Sequence, residues 1–342
     1  MSPWHTLLNN YQMTLAEDGS EVICKGEQST HSTRIVPLVH HEVISVVGED
    51  AEKFLQGQLT CDLQDVSQMG SRLGAHCAIK GSMIALYRLM KTDGGFLLRL
   101  HRSTAAGALQ SLQKYIVFSK AEAKNVSQEM VGLGLIGPGA TALVEKLTET
   151  APSETDRLVR SGDVHIIRVP QERYELWMPV EKAPEVIAQL ERIAPMGSTR
   201  EWLLSEIEAG IPDLRPATQE TFIPQMANLQ VFKGVSFTKG CYTGQEIVTR
   251  LQHRGKLNKC MYHLVGECET LPQAGDYLDS TDKERVGQVL YAASADNGQV
   301  HMLAIMNKSA EESSLKLAEQ NTPLSHAELP YTLDPELFEK KR

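Results

Sequence analysis

The chain has 342 residues, of which 42% are hydrophobic and 23% are charged, so it has enough apolar material for two or three ordinary domains. Its 34 basic and 43 acidic side chains give a net charge of −9, which argues against strong nucleic-acid binding because that activity needs a basic surface. No stretch approaches the roughly 18 apolar residues of a membrane span, and residues 1–5 do not resemble a secretory leader, so we expect no membrane partner.

The six cysteines are scattered along the chain, and no two of them are spaced as Cys-x-x-Cys. This pattern predicts neither a zinc site nor a redox dithiol, and we expect no bound metal. Scattered free thiols are typical of a reducing compartment, so a cytoplasmic protein is predicted. The cysteines are Cys24, Cys61, Cys77, Cys241, Cys260 and Cys268.

The first 125 residues have the pattern of an α+β unit, in which helices alternate with short strands rich in β-branched residues. We expect the apolar members of the last predicted strand, at residues 114–120, to face the core. The predicted elements are a helical lead-in over 1–25 with an extended piece at 21–23, a strand at 43–47, a helix over 51–62, a hairpin turn at 80–81, strands at 84–90 and 95–100, a helix over 104–113 and the strand at 114–120.

A second α+β unit is predicted from about residue 131, because the order strand, helix, strand, strand, helix repeats there. A further helix begins at Glu201 and is expected to end at Gly210 and Pro212. The predicted elements are a strand at 133–139, a helix over 140–147, strands at 164–169 and 174–178, and helices over 183–193 and 201–210.

From residue 259 the pattern changes to short strands separated by turns, which is typical of a small β-barrel. Asn297-Gly298 is a strong hairpin signal. The tail after residue 323 is predicted to be a strand and a loose end. The predicted strands lie at 260–265, 277–278, 286–291 and 299–305.

Residues 239–250 read Lys-Gly-Cys-Tyr-Thr-Gly-Gln-Glu-Ile-Val-Thr-Arg and concentrate a thiol, two cations and a carboxylate. Thr243 and Glu246 have the spacing of a capping box, which predicts a helix whose N-cap is Thr243. Cys241 would then lie near the positive end of the helix and near Lys239, and both would favour its thiolate. Gly240 and Gly244 allow a tight turn or a close backbone approach. The structural alternative is a well-capped helix preceded by a buried cysteine.

This string resembles the Lys-Gly-Cys-Tyr-x-Gly-Gln-Glu signature of the YgfZ family, folate-binding proteins that are related to the glycine-cleavage T-protein and needed for iron–sulfur enzyme function. The resemblance extends over residues 43–307. Its flanking strings are Leu-Gln-Gly-Gln-x-x-x-Asp at 55–62, His-Cys-x-x-Lys-Gly-x-Met at 76–83, Lys-Tyr-x-Val-Phe-Ser-Lys at 114–120, Trp-Leu…Ile-Glu-Ala-Gly-x-Pro at 202–212, and Phe-Ile-Pro-Gln…Asn-Leu at 222–229.

The resemblance implies an α+β fold in which two ferredoxin-like α+β units and a C-terminal β-barrel form a three-domain ring. We expect a folate-binding unit over residues 1–125, a second α+β unit over 126–235, a motif segment and linker over 236–258, and the barrel over 259–342. This expectation includes an arrangement in which segments of the first two units alternate along the chain.

The resemblance also implies tetrahydrofolate, or a one-carbon derivative of it, in a central cavity. The family's tryptophan falls on Trp202, with core packing as the structural alternative. A second family tryptophan is replaced here by His41. From residue type, Glu208 is a candidate for the pterin nitrogens, and Lys239, Arg250 or Arg254 for the glutamate tail. The motif residues Tyr242, Gln245 and Glu246 complete the candidate folate contacts.

Three functions follow as hypotheses. The first is a folate-dependent accessory factor whose partners are iron–sulfur proteins such as tRNA methylthiotransferases, with Cys241 and Lys239 as the catalytic residues. The second is an aminomethyltransferase of the T-protein type, against which the apolar residues 83–86 argue, because the T-protein carries an aspartate there and a hydrocarbon cannot exchange a proton. The third is a non-enzymatic docking scaffold. The sequence does not decide whether the protein is an enzyme.

Overall fold

The structure is a computed structural model that describes residues 2–8, 11, 13–24 and 32–339, and the side chains of His253 and Arg254 fall outside the description. In these ranges the helices are α1 (Pro3–Leu8), α2 (Ala51–Gln58), α3 (Leu63–Met69), α4 (Arg102–Ile116), α5 (Ala140–Val144), α6 (Ala183–Leu190), α7 (Thr199–Glu208) and α8 (Gln245–Arg254).

The strands fall into three groups along the chain. Those of the first half are β1 (Met13–Leu15), β2 (Val22–Cys24), β3 (Arg34–Pro37), β4 (His41–Val47), β5 (Ser71–Cys77), β6 (Met83–Lys91), β7 (Gly95–His101) and β8 (Glu122–Asn125). The middle group is β9 (Met130–Ile136), β10 (Leu158–Ser161), β11 (Val164–Val169) and β12 (Arg173–Pro179). The last group is β13 (Lys259–Gly266), β14 (Tyr277–Ser280), β15 (Gly287–Ser294), β16 (Val300–Asn307), β17 (Leu315–Leu317) and β18 (Thr322–Ala327).

The chain divides into two compact units, and each is assembled from stretches that are separated in sequence. The first unit contains Met1–Glu49, Gln64–Arg72 and Leu89–Ser205. The second contains Asp50–Leu63, Leu73–Arg88 and Glu206–Arg342.

The first unit is built on antiparallel sheets with helices packed on them. One sheet has the strand order β10-β11-β12-β9-β3. Helix α5 packs against β9 and β12, and α6 contributes to the same core through Ile187 and Leu190. Strands β7, β4 and β8 lie side by side in a second sheet, on which α4 packs. Alternate residues of each strand point to opposite sides of its sheet.

The second unit contains a closed antiparallel barrel with the strand order β13-β16-β15-β14-β17-β18. It closes where β13 pairs with β18, with His263 opposite Ala327. Closure leaves none of these six strands as an open edge. The barrel is filled by buried side chains such as Leu264, Met302 and Leu317. The second unit also contains helices α2 and α8 and most of strands β5 and β6.

The α+β fold and the C-terminal barrel confirm the predicted fold class, and most predicted strands lie within a few residues of the observed ones. The hairpin at Asn297-Gly298 is confirmed, because Gly298 adopts a φ of +85° between β15 and β16. The turn at residues 80–81 is also confirmed, since Gly81 has a φ of +81° and Ala78 N donates to Ser82 O at 2.8 Å.

The predicted strand at residues 114–120 is wrong. Helix α4 continues to Ile116, because Ala108, Leu112 and Ile116 extend the buried helical face by four-residue steps. The expectation that the apolar residues face the core also fails beyond the helix, where Val117 is 70% and Phe118 is 90% exposed. The β-branched and aromatic composition of residues 114–120 favours a strand, but the buried residues that lead into this run are spaced as in a helix.

Other elements also differ from the prediction, and the helices expected over 140–147 and 183–193 end at Val144 and Leu190. The helix expected over 51–62 ends at Gln58, because Leu59 is extended and bridges to His76. The expected lead-in over 1–25 contains a short helix and two short strands in its described part, while Lys25 lies outside the described residues. Strand β17 was not predicted, since three residues are too few to show a period.

Two glycines of the first unit give a matched test of its packing. A Cβ on Gly134 would lie 2.3 Å from the Trp202 ring, whereas one on Gly107, which is exposed in α4, would meet open space. We expect Gly134→Ala to lower the free energy of unfolding by about 1–3 kcal/mol through overpacking. We expect Gly107→Ala to raise it by about 0.5–1 kcal/mol because alanine is the better helix former. Urea unfolding followed by circular dichroism measures both, and equal midpoints for the two variants would contradict the packing of Trp202 on β9.

Candidate functional site

Helix α8 begins differently from the prediction. Its N-cap is Gly244, in the left-handed conformation with a φ of +82°, and no side chain caps the helix. The predicted capping box is therefore wrong. Thr243 lies one residue before the cap, and its hydroxyl donates to Gln58 Oε1 at 3.4 Å while its N–H donates to Gly57 O at 3.1 Å. The threonine connects the motif to the end of α2 rather than to its own helix.

Gly244 brings the backbone close to another part of the chain, and its predicted close approach to a ligand stays a prediction. A Cβ at this position would lie 2.6 Å from Ala78 O and 3.0 Å from Cys77 Cβ. The segment of residues 239–244, called the motif loop below, therefore packs directly on the turn between β5 and β6. At Gly240 a Cβ would meet nothing within 4 Å, so that glycine is not required by packing.

Lys239 anchors the motif loop. Its side chain is 8% exposed, and its Nζ donates to Leu59 O and Cys61 O, each at 2.8 Å. These carbonyls follow the last turn of α2, where the backbone has no partner in the helix. Burial lowers the pKa of Lys239 to about 8, while nearby Cys61 and Asp62 act in the opposite direction. The contacts assign Lys239 a positioning role, and its predicted catalytic role stays a prediction.

A second set of bonds holds the chain that leads into the motif loop. Ser236 N donates to Thr60 O at 2.8 Å, and Thr60 Oγ1 donates to Gly234 O at 2.5 Å. Lys239 N in turn donates to Ser236 Oγ at 3.2 Å. These bonds, together with those of Lys239 Nζ, join residues 59–61, which follow α2, to residues 234–239, which precede Cys241.

Cys241 is solvent-exposed, whereas Cys61 and Cys77 in the same unit are buried. Burial raises the pKa of Cys77 to about 12, so that thiol stays protonated. The structural alternative of a buried cysteine before the helix is wrong for Cys241. The motif loop thus presents this thiol to solvent while the residues on either side of it are held by contacts.

Tyr242 points inward beside the thiol. Its side chain is 6% exposed, and its ring centre lies 5.2 Å from Lys239 Nζ. Burial raises the pKa of its hydroxyl, which therefore keeps its proton. That hydroxyl is shielded from solvent and has no hydrogen-bond partner among the residues that the structure describes. A buried polar group of this kind is a place where a ligand atom can bind.

The first turns of α8 add polar groups to the site. Gln245 is half-buried, while Glu246 and Arg250 are exposed and stand four residues apart on the helix. Arg254 was also a candidate, and its side chain lies outside the described residues. We call residues 239–250 the Cys241 site.

Glu208 lies in the second unit at the end of α7 and is exposed. Burial lowers the pKa of His301 on β16, and the negative charge of Glu208 acts against that shift. The structure therefore places this carboxylate near the barrel histidine. Its predicted contact with pterin nitrogens stays a prediction.

Trp202 belongs to the core of the first unit. Its side chain is 0% exposed and packs in one cluster with Trp177 and Leu38. The guanidinium carbon of Arg173 lies 4.9 Å from the ring centre, and Gly134 lies against the ring edge. These contacts agree with the structural alternative of a core anchor, and the proposed stacking on a folate ring stays a prediction.

His41 lies in a buried polar network of the first unit that the sequence analysis missed. Its Nε2 lies 3.2 Å from Arg99 Nη1, and Arg99 forms a two-pronged ion pair with Glu175. Glu175 also accepts from Trp177 Nε1 at 2.8 Å. A signal was available, because Arg99 and Glu175 are isolated charges inside apolar strands, and buried charges are normally paired. The predicted folate contact of His41 stays a prediction.

The residues of the Cys241 site fit a folate chemically. A folate offers a flat ring system with amide-like donors and acceptors and a carboxylate tail. Gln245 and Glu246 supply polar groups, and Arg250 supplies an exposed cation. A guanidinium is well matched to a carboxylate.

Antiparallel sheets with helices packed on them and a closed six-stranded C-terminal barrel define the class of the glycine-cleavage T-protein fold. The family model described as the GCVT N-terminal domain matches residues 27–199, just over half of the chain. The model described as the YgfZ β-barrel domain matches residues 258–320. The chain therefore belongs to the YgfZ family, a folate-binding family related to the glycine-cleavage T-protein.

One solved structure shares the fold over most of the chain. The glycine cleavage system aminomethyltransferase T from Bartonella henselae superposes with a TM-score of 0.70 at 18% identity, over 91% of this chain and 88% of that one. At this identity the likeness concerns the fold alone. The heterotetrameric sarcosine oxidase from Corynebacterium sp. U-96, in complex with pyrrole 2-carboxylate, gives a TM-score of 0.36 at 12% identity, over 56% of this chain and 92% of that one, and supports no further argument.

Two glycines of the motif loop make a matched pair. We expect Gly244→Ala to lower the free energy of unfolding by about 1–3 kcal/mol, because a Cβ would be forced against Ala78 O at a φ of +82°. Gly240→Ala should change it by less than about 0.5 kcal/mol, since its Cβ meets open space. Urea unfolding of both variants is the measurement. A Gly244→Ala variant as stable as the wild type would contradict the packing of the motif loop on the β5–β6 turn.

Proposed function

We propose that this protein is a folate-dependent accessory factor for the synthesis or repair of iron–sulfur enzymes, including tRNA methylthiotransferases. It binds tetrahydrofolate or a one-carbon derivative, and Cys241 is its reactive group. Membership of a folate-binding family supports the ligand. The iron–sulfur partners rest on the family resemblance of the motif, and the cytoplasmic location rests on the scattered cysteines in the sequence.

The observation that carries the proposal is an exposed thiol on an anchored loop. Cys241 faces solvent, whereas Lys239 before it is bonded to the chain after α2 and Thr243 after it is bonded to the end of α2. A reactive group works best when its supporting shell fixes its position and leaves the atom itself accessible. A structural cysteine has no need of that exposure.

The ligand-binding roles follow from residue type and placement. Gln245 and Glu246 offer amide and carboxylate groups, and Arg250 binds the glutamate tail. Tyr242 is a further candidate contact beside them. Trp202, Glu208 and His41 remain candidate contacts of the same ligand.

Aminomethyl transfer of the T-protein type is the less favoured function. Residues 83–86 are apolar, and Met83, Ala85 and Leu86 are buried. None of these side chains can exchange a proton, as the aspartate that the T-protein carries there is expected to do. A direct assay of methylene-tetrahydrofolate formation from an aminomethyl-lipoyl donor distinguishes this function from the proposed one. A docking scaffold is distinguished by pull-down of iron–sulfur proteins that is equally strong with and without Cys241.

The role of the thiol is tested by Cys241→Ser. We expect this variant to keep the wild-type unfolding midpoint and folate affinity, because the side chain is exposed, yet to fail to restore iron–sulfur enzyme activity in cells that lack the protein. The control is Cys268→Ser, which removes a half-buried thiol near the barrel core and should restore activity fully. Full restoration by Cys241→Ser would end the thiolate proposal.

The role of Arg250 in folate binding is tested by fluorescence titration. We expect Arg250→Gln to weaken tetrahydrofolate binding about tenfold, the value of one charge-assisted hydrogen bond, and to leave a pterin without the glutamate tail unaffected. Lys256→Gln, at another exposed cation of the same unit, should change neither affinity. Equal affinities of wild type and Arg250→Gln for tetrahydrofolate would remove Arg250 from the site.

A further inference from the structure

Two histidines of the barrel form a pair that lies outside the Cys241 site. His263 is on β13 and His301 is on β16, and the centres of their rings are 5.1 Å apart. Their neighbours Leu264 and Met302 belong to the barrel core, so the alternation along each strand turns both histidines to the outer face. His263 is 4% exposed and His301 is half-buried. Nε2 of His263 lies 3.0 Å from Nδ1 of His301, so the two rings share a hydrogen bond that is largely withdrawn from water.

A backbone carbonyl decides which ring nitrogens carry the protons. Nδ1 of His263 lies 3.4 Å from Glu328 O, which can only accept, so Nδ1 carries the proton of the neutral ring. Nε2 of His263 is then an acceptor, and Nδ1 of His301 must be the donor. Nε2 of neutral His301 is left with a lone pair. The pair therefore joins β13, β16 and the chain just after β18 through two bonds, and both roles of His263 require its neutral form for the bond to His301.

The surroundings of the pair are mostly apolar. The residues opposite the two histidines on the neighbouring strands are Leu303, Ala327, Val265 and Ala293. Burial lowers the pKa of His263 to about 4, and His301 beside it acts in the same direction. Burial also lowers the pKa of His301, while the negative charge of Glu208 at the end of α7 raises it. Within the described residues, Glu208 is the charged side chain that acts on the pair, and Glu328 acts through its backbone carbonyl.

We propose that the His263–His301 pair is an acid-sensitive latch, which holds β13, β16 and the backbone at Glu328 together while His263 is neutral and opens when His263 is protonated. The first proton enters at His301 Nε2, the ring nitrogen that neither hydrogen bond uses, and it leaves the bond between the rings in place. A second proton, on His263 Nε2, turns the acceptor into a donor that faces the N–H of His301. The bond is then lost and two cations face each other. The inference concerns the barrel, so it does not depend on the function proposed for Cys241.

The latch gives folding stability a pH dependence of defined sign. The pKa values of both imidazoles in the folded barrel lie below about 6.5, the value of an unperturbed histidine. The stability that the neutral pair contributes is therefore complete above about pH 6.5 and is lost as the pH falls toward the pKa of His263 at about 4. Between these values the unfolded chain holds up to about one more proton at His263 than the folded chain does.

Urea unfolding of the full-length protein at about pH 6 and about pH 5 tests the latch. His263→Gln keeps an acceptor for His301 and cannot take up the proton. On lowering the pH by this one unit, we expect the unfolding equilibrium constant of the wild type to rise about five to ten times more than that of His263→Gln, which is the effect of one proton. His326→Gln, which removes an exposed imidazole of the same barrel, should keep the wild-type pH dependence. Equal pH dependence in the wild type and His263→Gln overturns the proposal.

NMR of the wild type with isotope-labelled histidine tests the geometry without relying on a substitution that changes stability. The ring nitrogens report which atom carries the proton, and the signals lost in His263→Gln and in His301→Asn assign the two residues. We expect both rings to carry the proton on Nδ1 at about pH 8, and His301 to take up its proton before His263 as the pH is lowered. A His263 ring with its proton on Nε2, or one that titrates like an unfolded histidine, overturns the proposal.

Discussion

The Cys241 site depends on one buried cation. The ammonium of Lys239 donates to the carbonyl of Leu59, the C-cap of α2, and to that of Cys61 two residues further on, and these bonds fix the start of the motif loop. Burying an amine is costly, as its lowered pKa of about 8 reflects, and the two hydrogen bonds offset part of that cost. This contact also fixes the backbone next to Cys241, two residues later, while the Cys241 thiol remains open to solvent.

The same region shows why glycine is needed at one position and tolerated at another. Gly244 turns the chain into α8 with a left-handed backbone and lies against Ala78 O. Any side chain there would push the motif loop off the β5–β6 turn. Gly240 has free space around it, so its place in the motif is not explained by packing within the described residues. Exposure of the loop at Gly240 leaves room for a ligand or partner to approach the backbone beside Cys241.

Sequence patterns located most of the fold because hydrophobic periodicity is a local property. Strands such as β11 and β12, and the Asn297-Gly298 hairpin, follow from residues that are adjacent in the chain. The errors came where a local pattern was ambiguous or overridden. The run at residues 114–120 had strand-like composition but helical spacing, and Leu59 left the helix to bridge with His76, a partner 17 positions away. The capping box at Thr243 failed for the same reason, because a long-range bond to Gln58 replaced the local one.

The sequence by itself determined the family, the α+β and barrel classes, and the short motif that contains the cysteine, because these depend on the identity and order of neighbouring residues. Tertiary structure decided which way each side chain faces. It exposed Cys241, buried Tyr242 and Trp202, and turned Lys239 toward the carbonyls after α2. It also joined Arg99 to Glu175 and paired His263 with His301. These outcomes need contacts between residues far apart in the chain, and burial and pairing of polar groups are settled by those contacts rather than by local propensity.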